Sequence, residues 1–513
     1  MTTSPLPRTT TPAPSRRRRW AGLIVLSASL LVVAMDMTIL NVALPDLAAH
    51  LRPTAGQQLW IVDVYSLVLA GLLVPMSALA DRWGRRLMLL AGFAVFGGAS
   101  LLVLLADTPA AVIAVRALLG AGGAMIMPTT LSMIRTLFPD PRERATALGV
   151  WAATSSLGMA VGPILGGLLL QHFSWHAAFL VNVPLMVAAI IAGLLLLPEA
   201  RDPSPGRWDA LATVQAITGM LALVWSIKHF AKAGPGDPLG WAALAAALTV
   251  LTWFVLRCLR RPDPLLDVRL FTRRPFTAGV LAALASMFAM ASLLLLVAQW
   301  LQLVLGASPF MAGVYLTPMA LGAVVASPLA PWLAARIGAR TTLAGGLAVA
   351  GTGFLLLYLA PSPPAHPVVL VSLLMLGIGA GALAIASAII MSGTPQTKAG
   401  NAAAIEETAY DLGNVLGVAV VGSIASVVYR AHLDVADLTG PTPADLTAAR
   451  ESLGAALEIA ERAQSTELAT RAGTAFTEAL VQTGLIGAIV MFTAAAVVFA
   501  LVPRDLDLAT QQH

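Results

Sequence analysis

The feature of this sequence that most constrains its fold is a succession of long apolar stretches separated by short charged segments. A helix that crosses a lipid bilayer needs about 20 predominantly apolar residues. Fourteen stretches meet that requirement: 20–45, 57–80, 87–106, 110–134, 143–170, 175–197, 210–229, 240–258, 275–303, 308–332, 341–360, 366–391, 403–429 and 479–502. Charged residues make up only 11% of the 513 residues, whereas soluble domains carry about 25%. The chain is therefore predicted to be an all-α integral membrane protein, which excludes an ordinary soluble enzyme.

Lysine and arginine gather on one side of the predicted membrane. If the N-terminus is cytoplasmic, the cytoplasmic segments carry 23 of these residues and the outer segments carry 7. Cytoplasmic loops are enriched in Lys and Arg in this way, so both termini are predicted to be cytoplasmic. The formal charge of +5 accordingly indicates orientation and not nucleic-acid binding. Lys228 is counted as an outer residue, because Lys228 and His229 close the seventh stretch early.

Two features of the chain repeat at a nearly constant offset. Loops 80–86 and 334–340 share an Arg, a Gly and a final Arg, 254 positions apart, and three glycines of the fifth stretch recur in the thirteenth at an offset of 255. Duplicated halves around a midplane site are typical of secondary transporters. The predicted domains are a disordered basic tail (1–19), an N-terminal six-helix half (20–200), two inserted helices (201–260), a C-terminal six-helix half (261–502) with a long outer loop (430–478), and a C-terminal tail (503–513).

Five short motifs give the chain a resemblance to a known family. They lie in the first helix (35–45), the second helix (60–65), the loop after it (81–86), the fourth helix around Arg116, and the fifth helix (158–167). Together they resemble the major facilitator superfamily and, within it, the fourteen-helix drug:proton antiporters, closest in look to the quaternary-ammonium-compound efflux pumps. The resemblance implies the major facilitator fold, a cytoplasmic (plasma or inner) membrane location, and secondary active transport instead of enzymatic catalysis.

The motifs also imply which residues open and close such a transporter. Charges of the 81–86 loop can pair across helix ends and hold one conformation, although the loop also serves as a positive-inside anchor. Glycines of the fifth helix let a neighbouring helix approach closely, although generic packing would use them in the same way. The predicted gating residues are Asp81, Arg82, Gly84, Arg85, Arg86, Arg116, Gly158, Gly162, Pro163, Gly166 and Gly167.

Five carboxylates fall inside the predicted spans, where an ionisable group is costly and normally has a function. Asp36 and Asp63 form an outer pair, and Glu406, Glu407 and Asp411 form an inner cluster, against Arg116 as the one base clearly within a span. We expect this excess of acids to be neutralised either by protons or by a cationic substrate. Asp36, Glu407 and Asp411 are the predicted proton-coupling residues, and all five acids are predicted to bind substrate. For Glu406, a position at the inner membrane surface is an equal alternative.

Aromatic residues Tyr65, Trp300, Tyr315 and Tyr410 are predicted to line the substrate site through cation–π contacts. The outer loop 430–478 is predicted to form a helical hairpin, and segment 260–274 a short amphipathic helix on the inner surface. One cysteine, Cys258, offers neither a disulfide nor a metal-thiolate cluster. No cofactor, metal, nucleotide or nucleic acid is expected, and the predicted partners are cationic drugs, protons and the lipid bilayer, with the protein acting as a monomer.

Three functions fit these observations. The first is a proton-driven exporter of lipophilic organic cations such as quaternary ammonium compounds, dyes and dications, which the excess of buried acids favours. The second is a proton-coupled exporter of a neutral or anionic antibiotic or metabolite, for which more than one intramembrane base would be expected. The third is an uptake symporter, against which the motif of the fifth helix argues by resemblance.

Overall fold

A computed structural model describes residues 15–53, 55–201, 209–233, 236–262, 264–392, 394, 398–435, 438, 442–504 and 506. Most of the two predicted tails lies outside these residues. Residues 16–19, predicted to belong to a disordered tail, instead form the first turn of a helix. Ser15 caps this turn by accepting a hydrogen bond from the Arg18 backbone, and Arg19 pairs with Glu143 at 2.8 Å. The capping hydrogen bond and the ion pair therefore stabilise the helical conformation of residues 16–19.

The described residues form helices and no β-strand. The α-helices are α1 (Arg16–Leu51), α2 (Ala55–Trp83), α3 (Arg85–Leu102), α4 (Pro109–Leu137), α5 (Pro141–Leu170), α6 (Ala177–Leu180), α7 (Asn182–Leu196), α8 (Ala210–Ala233), α9 (Pro238–Arg260), α10 (Arg274–Gln299), α11 (Pro309–Ile337), α12 (Ala339–Tyr358), α13 (His366–Ala380), α14 (Ala382–Ser392), α15 (Ala399–His432), α16 (Pro443–Glu451), α17 (Leu453–Arg462) and α18 (Thr466–Leu501). Several begin with a polar cap followed by proline, as at Thr108, Asp237 and Thr442. This order satisfies the exposed first-turn amides and places proline where no helical amide is needed.

Thirteen helical segments among the described residues are long and apolar enough to cross a membrane, so the protein is a multi-pass membrane protein. The predicted fifth span coincides with α5, whose apolar part covers only Val161–Leu170. Its 30 residues measure about 45 Å at 1.5 Å per residue, and it packs along α1 and α11. A fourteenth crossing by α5 stays a prediction, as do the cytoplasmic termini.

The sequence repeat reappears in the backbone of the two halves. Gly84 and Gly338, the glycines of the repeated loops, both have positive φ angles, 121° and 87°. Only glycine adopts such angles without strain. In the N-terminal half α5 packs closely on α1, and in the C-terminal half α15 packs on α10 in the same manner. The repeated glycines thus mark equivalent turns and equivalent helix contacts.

The two inserted helices, α8 and α9, pack on each other, and α8 also lies against α2 and α15. Met220 and Val224 of α8 are buried against Leu67 and Ala70 of α2. α8 continues to residue 233, so Lys228 is a helical residue close to the end of this candidate span. Its assignment to the outer side of the membrane stays a prediction. Through α8, the inserted pair packs into the helical bundle instead of standing apart from it.

The segment 430–478 contains the predicted helical hairpin, built from α16, α17 and the first turns of α18. Thr442 and Asp445 form a capping box that starts α16, and Thr442 hydrogen bonds hold the pKa of the Asp445 carboxyl below its ordinary value. α17 buries Leu453 and Ile459 against the bundle. Segment 260–274 does not form the expected amphipathic helix; its helical part is a five-residue 3₁₀ turn, Val268–Thr272.

Candidate functional site

A small cavity of about 40 Å³ lies where the two halves of the protein meet. Met37 and Met127 contribute from the N-terminal half, and Glu407, Tyr410 and Asp411 contribute from α15. A drug-sized ligand occupies a pocket of about 300–1,000 Å³. A molecule of that size therefore does not fit the cavity in this conformation.

The three acids of α15 are all buried, with exposed fractions of 0% for Glu406, 1% for Glu407 and 6% for Asp411. Glu407 and Asp411 line the cavity, and Glu406 lies next to them on α15. Glu406 is fully enclosed by protein, so its side chain does not extend to solvent. Ser387 and Tyr410 both donate hydrogen bonds to Glu406, the latter at 2.6 Å. Both carboxylate oxygens of Glu407 and the Oδ2 atom of Asp411 are buried without a hydrogen-bond partner among the described residues.

Asp36 belongs to a separate buried network. Its Oδ2 atom accepts a hydrogen bond from Arg116 Nη1 at 2.9 Å, and its Oδ1 atom accepts one from Asn182 Nδ2 at 2.8 Å. Arg116 also donates to the Ile61 carbonyl at 3.2 Å and lies over the Tyr65 ring, 4.4 Å from its centroid. Asp36, predicted to be one of the two outer acids, is thus paired with Arg116, which the sequence analysis assigned only to gating. Asn182 had no sequence signal that pointed to it.

Asp63 has a partner as well. Lys228 of α8 donates a hydrogen bond to Asp63 Oδ1, and the same ammonium donates to Ser66 Oγ at 3.1 Å. The pair is partly exposed, with 26% of the Lys228 side chain and 31% of the Asp63 side chain accessible. The predicted outer acidic pair, Asp36 and Asp63, is therefore neutralised within the protein itself.

These contacts change the balance of charge that the sequence predicted. Arg116 and Lys228 are two bases within the bundle, and each is bound to one of the two outer acids. The remaining acids, Glu406, Glu407 and Asp411, form no ion pair with a described residue. The unpaired negative charge is concentrated on about one and a half turns of α15.

Of the four aromatic residues predicted to line the site, the structure places only Tyr410 at the cavity. Its ring stacks on Trp151, with 6.4 Å between centroids, and Trp151 lines the cavity too. Trp300 is buried away from it and donates to Thr477, while Tyr315 lies beside His366. Tyr65 stacks on the protein's own Arg116. Sequence spacing does not reveal how a helix is rotated, so Trp151 was missed.

The 81–86 loop touches the start of α15. Asp81 accepts two hydrogen bonds from Arg85, at 2.8 and 3.0 Å, and packs so closely on Gly400 that a Cβ there would lie 2.7 Å from Asp81 Oδ1. Negative charge is favourable at a helix N-terminus. Ser77, where the motif usually has glycine, donates to the Gly400 carbonyl at 2.6 Å. The loop thereby ties the N-terminal half to the helix that carries the three acids.

The other charged residues of this loop act on their own half. Arg86 donates its backbone amide to Glu199 at 3.2 Å and its guanidinium to the Leu194 carbonyl at 2.5 Å. Arg82 is exposed. A Cβ at Gly84 would lie 2.5 Å from Glu199 Oε1, at the end of a side chain that can move aside, so the φ angle is what requires glycine there.

The glycines of α5 form a contact stripe for α1. A Cβ at Gly158 would lie 2.7 Å from the Leu31 carbonyl oxygen, one at Gly162 would lie 2.7 Å from that of Met35, and one at Gly166 would lie 2.9 Å from Ile39 Cγ1. Pro163 and Gly167 are half-buried beside the stripe. Because the Asp36 network is part of α1, this close contact fixes its distance from α5.

Comparison with known proteins agrees with this architecture. Residues 26–418 match the family described as the Major Facilitator Superfamily. The chain is 40% identical to the multidrug efflux pump LfrA of Mycolicibacterium smegmatis over 95% of its own length and 97% of that protein. It is 36% identical to the methyl viologen resistance protein SmvA of Salmonella typhimurium, over 88% and 91%.

The fold is also similar to the crystal structure of the human organic anion transporter MFSD10. The TM-score is 0.59 at 15% identity, covering 93% of this chain and 100% of the other. At that identity the likeness concerns the fold alone. The matched family covers most of the chain, and two relatives match it almost end to end. The protein is a transporter, not an enzyme, and it belongs to the Major Facilitator Superfamily.

Proposed function

We propose that this protein is a proton-coupled multidrug efflux antiporter that exports lipophilic organic cations, including quaternary ammonium compounds, dyes and dications. The observation that carries the proposal is the group of buried acids on α15. Glu407 has no hydrogen-bond partner for either oxygen, and Asp411 has none for one of its oxygens, among the described residues. The protein is proposed to act as a monomer with both termini in the cytoplasm.

A buried carboxylate without a partner is strongly disfavoured as an anion, because its lost hydration is not replaced. Two events relieve this cost at Glu407 and Asp411: binding of a proton, or arrival of a positively charged substrate. If one event excludes the other, the inward movement of a proton and the outward movement of a cation are coupled. In this scheme Glu407 and Asp411 bind either the proton or the cation. Glu406 is held in place by hydrogen bonds from Ser387 and Tyr410. The stacked rings of Trp151 and Tyr410 offer an aromatic face to the cation.

Contacts between the halves support a cycle of alternating access. On the predicted cytoplasmic side, Ser77 holds Gly400 and Arg135 donates to the Thr394 carbonyl. These contacts close the route from the cytoplasm to the acids of α15, and the cavity of about 40 Å³ is too small for a drug. Substrate loading from the cytoplasm therefore requires that these contacts break.

The paired outer acids have a different role in this proposal. Asp36, bound to Arg116 and Asn182, keeps a buried network of the N-terminal half neutral while the two halves move relative to each other. The names of the relatives, a multidrug efflux pump and a methyl viologen resistance protein, support drug export. Methyl viologen is a dication, which agrees with a site where negative charge is in excess.

The proposal is tested by cation accumulation in everted membrane vesicles. Respiration acidifies their interior, so an antiporter should accumulate ethidium, and a protonophore at constant ATP should abolish this accumulation. Glu407→Gln and Asp411→Asn should each strongly lower the rate, because an amide at either position can neither exchange a proton nor carry the negative charge that attracts a cation. Glu458→Gln on the exposed face of α17 is the matched control and should behave as wild type.

Three results would contradict the proposal. Accumulation that survives the protonophore but stops when ATP is removed would exclude proton drive. Expulsion of dye from the vesicles would indicate an uptake symporter. No movement of any cation, with export of a neutral or anionic compound instead, would mean that the acids of α15 do not bind substrate charge.

A further inference from the structure

Lys228 is the cation of an ion pair that joins an inserted helix to the N-terminal half. Its ammonium contacts Asp63 Oδ1 on α2 and donates to Ser66 Oγ, one turn further along α2, at 3.1 Å. The two side chains are 26% and 31% exposed. The outer acid is therefore occupied by a positive charge that the protein itself supplies.

Apolar packing below the pair fixes where this ammonium can reach. Val224, four residues before Lys228, is fully buried and belongs to the same apolar cluster as Leu67, four residues after Asp63. Residues four apart share a helix face, so this cluster between α2 and α8 sets the two charged side chains on facing sides of the two helices. Leu412 of α15 packs against the same cluster, directly beside Asp411. The ammonium thus lies above the junction between α2 and the helix that carries the unpaired acids.

The Asp63 pair differs from the buried pair of Asp36 in ways that allow exchange. Arg116 is 3% exposed and is also held by the Ile61 carbonyl and the Tyr65 ring. Lys228 has a flexible stem, a compact charge and access to water. A partly exposed ion pair is weak enough for another cation to compete with it. Asp63 can consequently be released from its partner, whereas Asp36 cannot.

We propose that Lys228 is an internal competitor for the second positive charge of a substrate, and that it thereby sets a preference for monocations over dications. This inference rests on the proposed function. A monocation binds at the acids of α15 and leaves the Lys228–Asp63 pair intact. A dication long enough to reach Asp63 must displace the ammonium, so part of the attraction for its second charge is lost.

The experiment compares two cations of similar ring framework and different charge. N-methyl-4-phenylpyridinium carries one charge and methyl viologen carries two. Their kcat/KM values are measured in proteoliposomes for wild type, Lys228→Gln, Lys228→Arg and Lys228→Gln combined with Asp63→Asn. The Gln variant should raise the dication-to-monocation ratio about fivefold, equivalent to about 1 kcal/mol. The Arg variant should keep the wild-type ratio, and the double variant should lose the gain.

Each result has a distinct meaning. An equal change for both cations in Lys228→Gln, with a lower thermal midpoint, would show that the pair only stabilises α8, and the inference would be wrong. An unchanged ratio would overturn it as well, while leaving cation export intact. Failure of the wild-type protein to move the monocation would instead contradict the proposed function. A gain that persists after removal of Asp63 would show that Lys228 does not act through that acid.

Discussion

The buried pair of Asp36 and Arg116 allows a quantitative prediction. Asp36 is 1% exposed and Arg116 is 3% exposed, with 2.9 Å between their hydrogen-bonded atoms. Asp36→Asn leaves the guanidinium buried without its counter-ion, and Arg116→Gln leaves the carboxylate in the same state. The double variant removes both charges and keeps two polar side chains of similar size. The two charges should therefore depend on each other for most of their effect on stability.

Removing one partner of a buried ion pair costs about 3–5 kcal/mol, because a buried charge is left uncompensated. We expect each single variant to lose about 3 kcal/mol of unfolding free energy. The double variant should lose about the same amount, not twice as much, which gives a coupling energy near 3 kcal/mol. Asn182 donates at 2.8 Å to the side chain at position 36, whether residue 116 is Arg or Gln. Its contribution to the unfolding free energy therefore cancels when the single and double variants are compared.

Unfolding can be followed through the chain's single cysteine. Cys258 is 2% exposed, so a thiol-reactive fluorophore labels it only as the bundle opens in detergent, and circular dichroism reports loss of helix in parallel. Losses that add, to about 6 kcal/mol in the double variant, would refute the claim that these residues act as one neutral unit.

Two further predictions concern the ends of helices. Gly84→Ala should destabilise the protein by more than about 1 kcal/mol in the same assay, because alanine is strained at a φ of 121° and its Cβ would contact Glu199. Gly98→Ala is the control, since a Cβ there meets nothing within 4 Å. Equal losses of stability in the two variants would refute the argument. Asp209→Asn should weaken the junction of α8 and α9, because hydrogen bonds from Arg257 hold the pKa of the Asp209 carboxyl below its ordinary value. A lowered pKa contributes stability that is complete above the unfolded value of about 3.9 and is lost as the pH falls through the folded value. The variant should therefore differ from wild type at pH 7, and the difference should shrink as the pH falls below about 3.9.

The sequence was informative where the signal is local. Apolar length located the membrane-spanning segments, because a bilayer imposes the same requirement on every span. The matching glycines at Gly84 and Gly338 predicted duplicated halves, since turns with φ angles of 121° and 87° need glycine. The helical hairpin after α15 was predicted from a Thr-Pro start, which the structure uses as a helix cap.

The partners of the charged residues could not be predicted in the same way. Asp36 and Arg116 are 80 positions apart, and Asp63 and Lys228 are 165 apart. No periodicity within a single helix determines which residues meet across two of them. The same limit applies to the aromatic residues, because helix rotation decides that Trp151 reaches the cavity and Trp300 does not. Pairing and rotation arise from tertiary packing. They changed five acids against one base, an excess of four, into five against two, an excess of three.

The central claim is that a proton and a cation share the acids of α15. Its most direct test is the affinity for tetraphenylphosphonium of the purified protein in detergent, measured between about pH 5.5 and 8.5 together with proton release on binding. If binding displaces one proton, the dissociation constant should rise by up to about tenfold for each unit of acidification, and this dependence should disappear in Glu407→Gln combined with Asp411→Asn. A wild-type affinity that is independent of pH, with no proton released, would contradict the exchange mechanism.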